Sequence, residues 1–273
     1  MTKLTFALLI IIAVIFLLPF YWNIVSSLKP SAEILRYPPT IFPSQLTTIQ
    51  YDRLLGSSNG VFLLYIRNTL ILAGSTILLV LFASLLAAYA MSKLPFRGIK
   101  IIFLLILSII MVPFQSLLIP LFDLFNKLNL IDTIPGLVLV YATFFMPFCI
   151  YMLKSYFGSL SDSLRESALI DGASELKILT KIYIPLSLPA IATVIVYVFL
   201  ETWNDFILSL VFTSSNTVKN VQVGITDFAM QRFTMDWGVI NAGTALSSIF
   251  PIIVFLLLQK YYVQGLTSGA NKE

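Results

Sequence analysis

The polar residues that stand out in this chain fall in two places. Glu201, Asn204 and Asp205 interrupt an apolar run around Trp203, and a second apolar run holds Gln115 between Pro113 and Pro120. Ionisable and amide side chains set among apolar ones face a cavity or a partner rather than hydrocarbon, and they suit contact with a polar solute along a path. Glu201 and Asp205 are four residues apart and share one face of a helix, where two carboxylates repel by about 0.2–0.5 kcal/mol in water. That pair needs a partner or a proton, and Arg232 is a candidate partner. The other place is the interval from Ser161 to Pro189, the longest charged stretch in the sequence. Bond-making chemistry has no apparatus here. There is no histidine, the single cysteine is Cys149 inside an apolar run, and none of the 12 glycines is followed by lysine. His-based metal sites, disulfides and a phosphate-cradling Gly-Lys-Ser/Thr loop are therefore excluded.

Composition says what kind of scaffold must place these residues. Apolar residues make up 58% of the chain and charged ones 11%, against roughly 45–50% and 25% in soluble domains, so this is an integral membrane protein. A helix needs about 20 residues to cross the hydrocarbon core. Six stretches qualify: Leu4 to Trp22, Thr69 to Met91, Ile101 to Phe122, Pro135 to Leu153, Leu186 to Phe212 and Val239 to Leu258. Lipid offers no partner to unpaired backbone groups, which makes the fold class all-α. The first stretch follows Lys3 as a signal peptide would, but Pro19-Phe20-Tyr21-Trp22 is a poor small-residue cleavage site, so it reads as a span.

The net charge of +4 fits basic residues at membrane edges and lipid contact, not nucleic acid. Lys93, Arg97 and Lys100 gather between spans two and three, and Lys154, Arg165, Lys177 and Lys181 between spans four and five. Lys29, Arg36, Arg53 and Arg67 lie on the other side and weaken the bias without reversing it. Those two links are therefore cytoplasmic, and an even number of spans puts both termini there too. Small residues Ala83, Ser84, Ala87, Ala88 and Ala90 let span two approach a neighbour closely. Pro113 and Pro120 imply either a kink in span three or a wall along a watery path.

The loop between spans four and five, residues 155–185, has its own local logic. Ser163 with Glu166 three residues on reads as a capping box that starts a short helix. Asp171-Gly172 reads as its stop, because glycine takes the left-handed conformation without a Cβ penalty. A second short helix, Ala173 to Tyr183, places Leu176, Leu179 and Ile182 on one apolar stripe, with Glu175, Lys177 and Lys181 pointing elsewhere. Pro185 ends it. Two short helices about a glycine turn make a rigid knob at the membrane surface, and such a knob can transmit force.

This loop resembles the cytoplasmic "EAA" loop of binding-protein-dependent ABC importer permeases, whose pattern is Glu-Ala-Ala, three residues, Gly, nine residues, then Ile-x-Leu-Pro. Here Glu166-Ser167-Ala168 stands for the triplet, Gly172 follows at the family spacing, and Ile182 and Ile184-Pro185 close the pattern. Ser167 and Ile184 are small or apolar departures from it. Other segments are similar to the second permease of maltose-type systems: Leu28-Lys29-Pro30 with Pro38, Pro39 and Pro43, the run from Ala88 to Pro120, Trp203-Asn204-Asp205-Phe206, and the tail from Tyr262 to Lys272.

The resemblance implies a single transmembrane domain over residues 1–273, in a bacterial or archaeal cytoplasmic membrane, with a coupling helix between spans four and five. It implies a non-catalytic subunit that binds no cofactor. ATP and Mg would be held by two separate ABC ATPase subunits; a sister permease and an extracytoplasmic solute-binding protein complete the set. Glu166, Ala168, Leu169, Asp171, Gly172 and Ala173 would dock the ATPase, and Gln115, Glu201, Asn204 and Asp205 are candidates for the path of a sugar or sugar-like solute. For the acidic group, path lining and structural pairing remain equal readings. The proline-rich outer segment, extended by its prolines, is either a packed cap or a face for the binding protein. A secondary transporter or channel for a small polar solute is the alternative function, supported by Asp123, Glu201 and Asp205, but matched broken helices in two halves of the chain are missing.

Overall fold

The long apolar runs form helices, as hydrocarbon demands of any spanning backbone. The computed structural model describes residues 3–56, 60–230 and 236–270. Helices α1 (Lys3–Ser27), α4 (Val61–Lys93), α7 (Ile134–Ser159) and α14 (Trp237–Ala270) are each long and apolar enough to cross a membrane. Two bent pairs bring the number to as many as six. In one, α5 (Ile99–Ile110) and α6 (Phe114–Lys127) meet at 97° across Pro113. In the other, the rod Glu175–Leu186 meets α11 (Leu188–Asn204) at 80°.

Span two begins at Val61 rather than Thr69, so α4 has 33 residues and extends well outside a hydrocarbon core on one side. Span five departs most from expectation. Its helix stops at Asn204, Asp205 is extended with φ −65° and ψ 131°, and a separate short helix α12 (Ile207–Phe212) follows. The 17 residues of α11 reach only about 25 Å at 1.5 Å per residue, less than the roughly 30 Å of hydrocarbon. The proline-rich segment is not wholly extended either: α2 (Ser31–Ile34) and α3 (Ile49–Gly56) flank a stretch without helix.

The core is built on α4 against α7, where Ser84 and Ala88 of the small-residue stripe are fully buried and let the two backbones close up. Helix α11 packs on α4 and in turn on α14. Trp203 lies stacked on Phe199 and tilted on Phe250 of α14, at ring-centroid separations of 5.2 and 5.1 Å. Helix α13 (Val221–Met230) packs on α4 and α14. Gly224 is required there, because a Cβ at that position would collide with the Tyr65 ring. Helix α1 leans on α14, with Asn23 Nδ2 donating to Asn241 Oδ1 at 3.0 Å, and is otherwise exposed along its apolar length.

Candidate functional site

At one end of the bundle, residues 160–186 form a compact two-helix loop. Helix α8 (Ser163–Ile170) ends in a Schellman turn: Gly172 N donates to Leu169 O at 3.0 Å and Ala173 N to Ala168 O at 2.9 Å, with Gly172 at φ +75°. The second half is one rod made of α9 (Glu175–Ile178), a π-helical turn (Leu179–Tyr183) and α10 (Ile184–Leu186). Pro185 sits at the start of α10, directly after the π turn and still inside the rod. The break comes at Ser187 instead, so Pro185 does not end the rod as its type suggests. The capping box is also absent. Asp162 occupies the cap position, Ser163 is the first helical residue, and neither side chain caps the helix. The reason is competition: the Ser163 hydroxyl bonds Ser161 Oγ at 2.7 Å and the Asp162 carboxylate is held by Lys93.

What holds the loop is the last turns of α4. Tyr89 and Lys93, four residues apart, lie on one face of that helix. Tyr89 Oη donates to Glu175 Oε2 at 2.6 Å, and Arg165 Nε reaches both carboxylate oxygens of Glu175 at 3.0 and 3.1 Å, with Nη2 closing the fork. Lys93 Nζ donates to Leu160 O at 2.7 Å and to Asp162 Oδ1 at 2.5 Å, and lies 5.5 Å from the centre of the Tyr183 ring. Beneath these bonds Tyr89, Phe157 and Tyr183 pack edge to face at 6.3, 5.2 and 5.7 Å. Arg165 holds the Glu175 carboxyl below the usual carboxylate range, with the Tyr89 hydroxyl adding to that against the opposing effect of burial. Asp162 is lowered by its bond to Lys93.

The sequence-derived docking residues divide into two groups. Ala168 is buried and Ala173 half-buried, both packed into the chain's own core. Glu166, Leu169, Asp171 and Gly172 are exposed. So is Ile170, which the family pattern does not single out and which is 86% exposed at the tip of the turn. The expected stripe holds in part: Leu179 is buried and Ile182 packs on the core, but Leu176 is 62% exposed, Ile178 and Tyr183 are buried as well, and Glu175 points inward to its clamp. Tyr89 and Lys93 were legible only as a same-face pair at a helix end.

The candidate path residues lie elsewhere and do not converge. Gln115, Glu201 and Asn204 are exposed on the surface of the single chain. Asp205 is half-buried and engaged. Its carboxylate accepts from Tyr141 Oη at 2.8 Å and from the amides of Leu208 and Ser209 at 3.2 and 2.9 Å, so it starts α12, while its carbonyl accepts from Asn220 Nδ2 at 2.5 Å. The partner anticipated for the acidic pair is thus Tyr141 in the case of Asp205; Arg232 lies outside the described residues.

A bundle of membrane-length helices carrying an exposed two-helix loop about a left-handed glycine is the architecture of a multi-pass membrane protein. Residues 80–268 match the family described as binding-protein-dependent transport system inner membrane component. The chain belongs to that family, among its sugar-type ABC importer permeases. It is 37% identical over 263 residues to the trehalose/maltose transport system permease of Thermococcus litoralis, covering 96% of this chain and 94% of that one. It is 35% identical over 268 residues to the osmoprotective compounds uptake permease of Synechocystis, covering 96% and 89%. A crystal structure of a bacterial ABC transporter involved in the import of the acidic polysaccharide alginate contains a chain that superposes with a TM-score of 0.83, at 26% identity and 95% coverage of both chains.

Proposed function

We propose that this chain is one of two permease subunits of an ATP-driven importer and forms half of the path for a sugar or sugar-like solute. Helices α5 and α6 count as one crossing, and α11 with α12 as another, giving six in a single domain over residues 1–273. The loop at 155–185 and both termini lie on the cytoplasmic side of a bacterial or archaeal inner membrane. The clustering of Lys93, Arg97, Lys100, Lys154, Lys177 and Lys181 at the loop end supports that orientation. A sister permease faces the exposed Gln115, Glu201 and Asn204, two ABC ATPase subunits bind below, and an extracytoplasmic binding protein delivers the solute. The carbohydrate class rests on the solutes in the names of the relatives, trehalose and maltose among them.

The observation that carries this reading is the tip of the loop. A turn held rigidly from behind presents Leu169, Ile170 and Leu176 to water beside Glu166 and Asp171. Large aliphatic side chains on a charged, water-facing loop mark a surface completed by another protein. The ATPase subunit is that protein; Leu169, Ile170 and Leu176 fill an apolar cleft on it and Glu166 pairs with a basic residue at its rim. Gly172, Ala168 and Ala173 act from inside the loop by setting the angle between its halves. Co-purification of tagged ATPase with Ile170→Asp and Glu166→Lys permeases tests this. Both substitutions sit on exposed positions and leave the fold intact, so assembly is expected to fail for Ile170→Asp and weaken for Glu166→Lys. Undiminished assembly and fully coupled transport by both would remove the loop tip from this role.

A further inference from the structure

The loop is covalently continuous with α7 and α11, yet its strongest polar ties run to neither. They run to α4, which is distant in sequence, and they take hold of both halves of the loop at once. Lys93 grips the entry to α8 through Asp162 and Leu160 O. Tyr89 grips α9 through Glu175, which Arg165 of α8 clamps in turn. The Lys93 side chain is only 2% exposed, while the Asp162 carboxylate it grips is 75% exposed, so the cation is tucked against Tyr183 and its partner faces water. Losing the tie to Asp162 leaves the buried ammonium with only Leu160 O as acceptor, which is costly.

We propose that the end of α4 is the receiver of the loop's motion, with Tyr89 and Lys93 as positioning residues that make the loop and α4 move as one body when the ATPase subunits close. This rests on the docking role given to the loop above. Three features argue for a latch rather than incidental packing. The two anchors lie on either side of Gly172, so the only left-handed residue within the described loop is bridged and cannot act as a free hinge. The Tyr89, Phe157 and Tyr183 rings come from α4, the end of α7 and the π turn respectively, and so place the junction of three elements directly under the anchors. The wide π turn is what brings Tyr183 into that junction while Ile178 and Leu179 stay buried. Force applied at Ile170 therefore enters the bundle at α4, and α4 is the helix packed most extensively on α7 and also covered by α11.

The test uses the assembled complex, with Cys149→Ser removing the native thiol, and spin labels on Ser167→Cys in the loop and Leu86→Cys on the exposed side of α4. Pulsed electron paramagnetic resonance measures the separation without nucleotide and with ATP in the absence of Mg2+. With Tyr89 and Lys93 intact, the separation stays the same in both conditions. In Tyr89→Phe with Lys93→Gln it shifts or broadens on ATP binding by about 5 Å, the size of one helical turn. Tyr89→Phe alone keeps the ring in its packing, and shifts in the same direction by less; it decides the matter if the double variant does not assemble. Lys93→Arg restores the wild-type behaviour in the Lys93 series. A separation that changes on ATP binding in the unaltered protein, or one that stays fixed in the variants, overturns the latch. Failure of the docking reading shows differently, as ATPase that still co-purifies with Ile170→Asp.

Discussion

The loop end and the break in span five are both organised by carboxylates, but the carboxylates are bonded to different things. At the loop, Asp162 and Glu175 are paired with Lys93 and Arg165, charged groups on long side chains. At the break, Asp205 is bonded to the Tyr141 hydroxyl and to two backbone amides, with no cation in the set. Attraction between charges falls off slowly with distance, whereas a bond to a backbone amide is lost within a fraction of an ångström and a few tens of degrees. The first arrangement keeps its ties while the loop and α4 shift together, and the second fixes the backbone at the break. The loop thus suits motion joined to α4, and the Asp205 knot a fixed frame at the break.

Breaking the frame has the largest expected effect. Asp205→Ala leaves the Tyr141 hydroxyl and the Leu208 and Ser209 amides without their acceptor, at about 1–3 kcal/mol for each buried group left unsatisfied. Thermal unfolding in detergent should register a loss of several kcal/mol, and Asp205→Asn a smaller one because the amide oxygen still accepts. Gly172→Val comes next. It forces a β-branched residue to the +75° φ of the loop turn, costing roughly 1–2 kcal/mol and tilting α9; reduced ATPase co-purification with the bundle still folded is the expected outcome.

Tyr183→Phe sharpens the contrast from the other side. The Tyr183 hydroxyl is buried with no hydrogen-bond partner among the described residues. Its removal should therefore leave stability unchanged or raise it by up to about 1 kcal/mol, while Tyr89→Phe, losing a bond to a carboxylate, lowers it. Smallest is the pH response. Glu175 and Asp162 are held below their ordinary pKa, by Arg165 and Lys93 respectively. A lowered carboxylate contributes stability that is complete above its unfolded pKa and disappears as pH falls through its folded one. Protection of the amides in residues 160–186, taken relative to their intrinsic exchange rates, should thus be independent of this pair from neutrality down to the ordinary carboxylate range, and fall only below it.

Much of the scaffold was legible because hydrocarbon imposes a length and a composition that show in any apolar run. The Gly172 turn was legible too, since its backbone conformation selects the residue type. Four things were not. The capping box failed because Ser163 and Asp162 found other partners, one of them 69 residues away on α4. The stripe on the second short helix held for Leu179 and Ile182 but not for Leu176, which lies ahead of the π turn and faces solvent while its neighbours Glu175 and Ile178 turn inward. The break at Asp205 was not legible, because the polar residues that interrupt the run there read equally as path lining or pairing, and that Asp205 caps α12 depends on the fold. The pairing of α4 with the loop depends on tertiary contact, and in sequence Lys93 is one more basic residue at a membrane edge.

The claim on which the account rests is that the tip of the 160–186 loop faces the ATPase on the cytoplasmic side. Ile170→Cys in the Cys149→Ser protein provides the direct measurement, using a membrane-impermeant maleimide on sealed vesicles of each orientation. The account predicts labelling only in inside-out vesicles stripped of ATPase, and protection when the ATPase subunits are restored. Labelling from the outside of intact cells, or labelling unaffected by bound ATPase, would contradict it.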